Sequence, residues 1–171
     1  MLSSLTELTL TAPPAVSRTN LTWYLNQIWQ LYFSDVPRVN EVYIDYCYPW
    51  KSRLGLIRLS VDNSLTFIGI NTLLQLPQVP DYVLTTTIAH ELVHYTHGFG
   101  SPLPRRWKHP HANHVVDREL EHRSLGESLA WCNEWIDQCW YPFYDLQRAS
   151  GWSTINNLSG ARAVSHPQTQ P

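Results

Sequence analysis

From Asn20 onward the spacing of apolar residues changes period several times, and each change marks an element. Leu21, Tyr24, Leu25, Ile28, Leu31 and Tyr32 recur at steps of three and four behind Asn20, whose side chain can cap a first turn. They predict a helix that ends before Pro37. Three short runs follow, Glu41 to Tyr48, Arg53 to Val61 and Ser64 to Ile70, separated by Pro49 to Ser52 and by Asp62-Asn63. Rich in Val, Ile, Tyr and Leu, they predict a three-stranded antiparallel meander. Val42, Ile44 and Tyr46 would face its core, and Tyr43, Asp45 and Cys47 a wetter side. Beyond Pro77 and Pro80, Asp81 can cap a second helix that runs to about His97 and stops at Gly98. Leu84, Ile88, Leu92 and Tyr95 form its core stripe, whereas Thr87, His90, His94 and His97 share another face. After a proline-containing surface loop, two more helices are expected, around Ala112 to His122 and Leu125 to Trp140. In the latter, Leu129, Cys132, Ile136 and Cys139 make an apolar line, so those thiols read as core residues rather than ligands.

The periodicity fades at both ends. Residues 1–17, with Pro13 and Pro14, are expected to form an N-terminal arm, residues 18–155 one domain, and the Gln and Pro rich residues 156–171 a disordered tail. A chain of 171 residues suffices for one core without disulfides or a structural metal. Lys plus Arg number 12 against 14 Asp plus Glu, so no global field draws nucleic acid or an anionic membrane. The three cysteines, Cys47, Cys132 and Cys139, have no zinc-ribbon spacing and leave an odd thiol, which favours a reducing compartment. The N-terminal stretch lacks a secretory pattern, and no window reaches the 18 apolar residues of a membrane helix. A cytoplasmic protein is the expectation.

Candidate chemistry concentrates in one region, because seven of the eight histidines lie between His90 and His122. Within it, His90-Glu91-Leu92-Val93-His94 is an HExxH motif. Histidines four apart on a helix project from one side and can share a metal, and zinc suits imidazole nitrogen. Glu91 can reach a water at an open coordination position and act as general base. Shuffling this composition yields the motif in about one or two sequences per hundred, so the predicted capped helix around it matters as much as the motif. A third ligand is expected downstream. His109, His111 and His114 are available, and so is Glu127 if the site follows a plan in which a glutamate on another helix completes the set. Asp117 can orient a ligand histidine through its second ring nitrogen. His97, Glu119 and Glu121 are further candidates by type, and Tyr95, Tyr141 and Tyr144 are the candidates for stabilising negative charge on a substrate.

The order of these features resembles the SprT-like zinc metallopeptidase family. The likeness rests on His90, Glu91 and His94, on His111-Ala112-Asn113-His114-Val115 after a loop, and on a helix and three strands ending in Phe67-Ile68-Gly69-Ile70-Asn71 upstream. It spans roughly Asn20 to Glu121. The family's small residue after the third histidine is usually Gly and here is Ala112, and its aromatic position is Val115. The resemblance implies His111 as third ligand, Zn2+ as cofactor and a polypeptide as substrate. A C-terminal cysteine ribbon of the kind often found in such proteins is missing from this sequence. Only Arg105-Arg106-Trp107-Lys108-His109 offers a local basic stretch for phosphate, and a solvated loop is its simpler reading.

The expected fold is therefore α+β and zincin-like: an N-terminal helix, a three-stranded antiparallel sheet, the HExxH helix and C-terminal helices. The expected function is peptide hydrolysis by a zinc-dependent enzyme. Two rivals share the residues, a zinc-containing binding module without catalysis and a metal-dependent hydrolase of another substrate class.

Overall fold

The computed structural model describes Arg18 and residues 20–163. Helix α1 (Leu21–Tyr32) begins as its sequence predicts, with the Trp23 amide donating to Asn20 Oδ1 at 3.0 Å. Leu21, Tyr24, Leu25 and Ile28 are buried against the rest of the core. Trp29 joins that stripe in place of Leu31, which is 46% exposed, and Trp29 Nε1 donates to the Val36 carbonyl at 3.0 Å.

The three strands are β1 (Glu41–Tyr46), β2 (Gly55–Leu59) and β3 (Leu65–Ile70), in the spatial order β1-β3-β2. β2 and β3 form the expected antiparallel hairpin, with Asn63 in a left-handed conformation at its turn. β1, however, pairs with β3 in parallel, Glu41 opposite Leu65 through Tyr46 opposite Ile70. The sheet is thus mixed, not the antiparallel meander expected. The cause lies in the connection between β1 and β2, which wraps the C-terminal end of β3. The Cys47 amide donates to the Ile70 carbonyl and the Asn71 amide to the Leu54 carbonyl, both at 2.7 Å. Asn71 Nδ2 donates to the carbonyls of Trp50 and Arg53, both at 2.8 Å. Held there, the chain passes to the far side of β3, and β2 itself serves as the crossover that a parallel pair requires. β2 is left as an edge strand.

A 3₁₀ turn (Thr72–Gln75) leads to α2 (Asp81–Thr96). Asp81 occupies the first helical position rather than the cap, which falls to Pro80, and it pairs with Arg18 at 2.6 Å. Val83, Leu84, Ile88, Ala89, Leu92, Val93 and Tyr95 are all buried, so α2 has no solvated face along most of its length. It packs against α1, the sheet, α3 (Val115–His122) and α4 (Gly126–Trp135). α4 runs through a π-helical turn (Ile136–Trp140) into α5 (Tyr141–Ala149). Pro142 has no N–H to return to the preceding turn, and the wider turn sits just before it. The helix predicted to end at Trp140 therefore continues to Ala149.

α6 (Ser153–Ala163) runs through the first half of the segment expected to be disordered from Asn156. Residues 164–171 and the arm 1–17 lie outside the described residues. Cys47, Cys132 and Cys139 are all free. Among the described residues, no helix is long and apolar enough to cross a membrane.

Candidate metal centre

α2 ends in a Schellman motif, which fixes the part of the helix that carries the histidines. The Phe99 amide donates to the His94 carbonyl at 2.9 Å and the Gly98 amide to the Tyr95 carbonyl at 3.1 Å. Gly98 takes φ +77° there, and a Cβ would meet the Leu103 carbonyl oxygen at 2.5 Å, so glycine is required. Phe99 then lays its ring edge-on to that of His94.

The chain returns to α2 through the loop that ends at His111. A 3₁₀ turn (Ala112–His114) follows, in which Asn113 and His114 both adopt left-handed conformations, with φ of 50° and 55°. Behind it Val115, Val116 and Leu120 are buried and anchor α3 in the core. That anchor sets the position of His111.

His90, His94 and His111 are brought together by their Nε2 atoms. The separations are 3.1 Å between His90 and His94, 3.2 Å between His90 and His111, and 3.0 Å between His94 and His111. Each imidazole nitrogen has one in-plane proton or one lone pair, so three such contacts cannot all be hydrogen bonds. A cation shared by three lone pairs accounts for them. Two nitrogens about 2.0 to 2.1 Å from one tetrahedral ion stand about 3.3 to 3.4 Å apart, close to the spacing seen. These three residues could hold a metal ion.

Burial tunes the group for that task. His94 is 5% exposed, and desolvation together with the neighbouring imidazoles pushes its pKa down to about 3. Desolvation, and then His111, pushes His90 down to about 4. Both rings are neutral at neutral pH, the form that ligates metal. The Nδ1 of His94 is buried without a hydrogen-bond partner among the described residues.

Glu91 projects toward β2. It is 5% exposed, and burial pushes its pKa up to about 8, opposed by the charge of Arg53. The carboxylate fits because residue 55 is glycine: a Cβ there would stand 2.6 Å from Glu91 Oε1 and 3.0 Å from Thr87 Cγ2. A cleft of about 810 Å³ opens over this floor. It runs between the stretch from Ser52 to Arg58, which includes most of β2, and the α4 side, with Leu129, Cys132, Asn133 and Ile136, and His90, Glu91, His94 and His111 lie at its base.

The other expected candidates stand elsewhere. His109 is exposed and outside the cluster, and so is Glu127 on the first turn of α4. His114 pairs with Asp117 at 3.5 Å. Asp117 lines the cleft, and its charge reaches His90, but its hydrogen bonding does not orient a ligand ring. His97 turns away from the cluster toward Glu119 on α3, 3.7 Å away, and Glu119 is held in turn by Arg123. Glu121 is exposed on α3. Tyr95 is fully buried and donates to Asn40 Oδ1 at 2.9 Å, while neither Tyr141 nor Tyr144 lines the cleft. Sequence reasoning missed Gly55, Arg53 and Phe99. Of these only Gly55 left a signal, since a glycine inside a strand run marks close approach by another group.

No protein-family model matches the chain, and no curated protein or solved structure is significantly similar to it.

Proposed function

We propose that the protein is a zinc-dependent metallopeptidase of the SprT-like kind, with His90, His94 and His111 as ligands and Glu91 as general base. The observation that carries this reading is the pairing of a three-imidazole cluster with a buried carboxylate on the same helix, at the base of an open cleft. Three neutral imidazoles suit zinc, and a site with three protein ligands keeps a position open. Zinc, when bound, supplies Lewis acidity that acidifies a water and polarises a carbonyl. Glu91 takes a proton from the attacking water at its carboxylate and hands it to the departing amine nitrogen as the carbon–nitrogen bond breaks. Among the described residues β2 pairs only with β3, so its outer edge can bind an extended peptide through backbone groups beside the cleft. A non-catalytic binding module would need the histidines but has no use for a carboxylate buried at Glu91. The free thiols are in keeping with a cytoplasmic enzyme.

The test is hydrolysis of an unfolded polypeptide by the zinc-loaded chain. The parent is expected to cleave it and Glu91→Gln to lose at least about 100-fold while keeping its metal. Equal rates for the two would overturn the reading.

A further inference from the structure

The chain as a whole carries a formal charge of −2, yet the free charges along the β2 wall of the cleft are positive. Arg53 and Arg58 both line it and are both exposed. Among the described residues neither guanidinium has an ion pair: Arg53 lies 5.9 Å from the Trp50 ring, and Asp45, on the outer face of the sheet with Arg58, is held instead by the Tyr43 hydroxyl and the Tyr46 amide. A third arginine, Arg105, sits 4.7 Å over the ring of Phe99, itself a lining residue. By contrast the arginines that serve the fold are committed, Arg18 to Asp81 and Arg123 to Asp35 and Glu119. Apart from Glu91, the acid that lines the cleft is Asp117, already paired with His114.

Position along the strand adds to charge. Gly55, the residue against which Glu91 lies, falls between the two, with Arg53 two residues before it and Arg58 three after. Arg53 belongs to the bent connection just ahead of β2 and Arg58 to the strand itself, where the pleat turns it to the face opposite that of Gly55. A peptide laid beside β2 would pass both, one on each side of the bond held over Glu91.

We infer that the cleft selects acidic polypeptide segments, with Arg53 and Arg58 recognising carboxylates on either side of the scissile bond. The inference rests on the proposed peptide hydrolysis for its substrate class but can fail independently of it. A phosphate backbone could satisfy the same guanidinium groups. The acidic peptide is favoured because Arg58 lies on a strand edge and Arg53 just ahead of it, and such an edge offers backbone hydrogen bonds to a peptide and none matched to a nucleic acid.

The experiment uses the zinc-loaded full chain carrying Glu91→Gln, so that binding is read without turnover. Fluorescence anisotropy would compare a labelled peptide bearing a glutamate on each side of its centre with the same peptide bearing glutamines. The acidic peptide is expected to bind about tenfold tighter at low salt, two exposed pairs contributing about threefold each, and the preference should shrink as salt is raised. Adding Arg53→Gln and Arg58→Gln should abolish the difference and leave binding of the glutamine peptide unchanged. Equal binding of the two peptides, or a preference that survives the double substitution, would overturn the inference. So would displacement of the acidic peptide by a single-stranded oligonucleotide that binds more tightly. Selective binding without cleavage by the Glu91 parent would instead sink the proposed reaction and leave the specificity standing.

Discussion

Gly55 and Glu91 are matched across the base of the cleft: a single methyl on Gly55 would stand 2.6 Å from Glu91 Oε1. The first residue of an edge strand thus sets where the carboxylate rests. Gly55→Ala is expected to push Glu91 off that position without touching a histidine. Since displacements near 1 Å can cost about 100-fold in rate, hydrolysis should fall by about that factor while zinc content stays at the parental level. Peptidase assay and metal analysis on one preparation would check it, and full activity in Gly55→Ala would show that the close approach is incidental.

The same burial makes the stability of the metal-free chain depend on pH in two directions. His90 and His94 are pushed down to about 4 and about 3 from 6.5. Below pH 6.5 the unfolded chain therefore binds protons that the folded chain refuses, and stability falls as pH drops toward those values. Glu91 acts in the opposite sense, because its folded value of about 8 lies above 4.5. Between those limits the unfolded chain loses that proton first, so stability falls as pH rises. Two histidines outweigh one glutamate in the acid range, and a maximum near pH 6.5 is expected. Urea midpoints in the presence of chelator, taken from about pH 5 to pH 8, would show it, and Glu91→Gln should remove the alkaline decline.

Asn71 holds the crossover that makes β2 an edge. Fully buried, it donates to two carbonyls of the connection, and its Oδ1 accepts from the Leu73 amide at 3.1 Å. Asn71→Ala would leave the two half-buried carbonyls and the buried Leu73 amide without that partner, at a cost of about 2 to 4 kcal/mol. Chemical denaturation should report that loss. A change of less than about 0.5 kcal/mol would mean that the connection is held by other contacts.

How far the sequence discloses this arrangement differs from element to element. The helix periods of α1 and α2 carry their own signal because each stripe is local, and HExxH places two histidines on one face by spacing alone. The direction of β1 was not legible. Its pairing depends on where Asn71 ties down Trp50 and Arg53, a contact that spans 18 or more residues and leaves no periodic trace. Which downstream residue joins that pair was equally hidden among His109, His111, His114 and Glu127. The three histidines sit in a loop without periodicity, and His111 is brought to the cluster by the burial of Val115 and Val116 and by the left-handed turn at Asn113 and His114. Resemblance pointed to His111, and the geometry places that residue in the cluster for a reason of packing. The continuation of α4 into α5 went unseen because Pro142 reads as a stop, whereas a π-helical turn absorbs its missing donor.

Everything proposed for the cleft requires His90, His94 and His111 to form a single metal site. Zinc content measured on the parent and on His90→Ala, His94→Ala, His111→Ala, His109→Ala, His114→Ala and Glu127→Ala tests it most directly. About one equivalent is expected in the parent and in the His109, His114 and Glu127 variants, with near-complete loss in the His90, His94 and His111 variants. Retention of full zinc by His111→Ala, or its loss from the His109, His114 or Glu127 variant alone, would contradict the site.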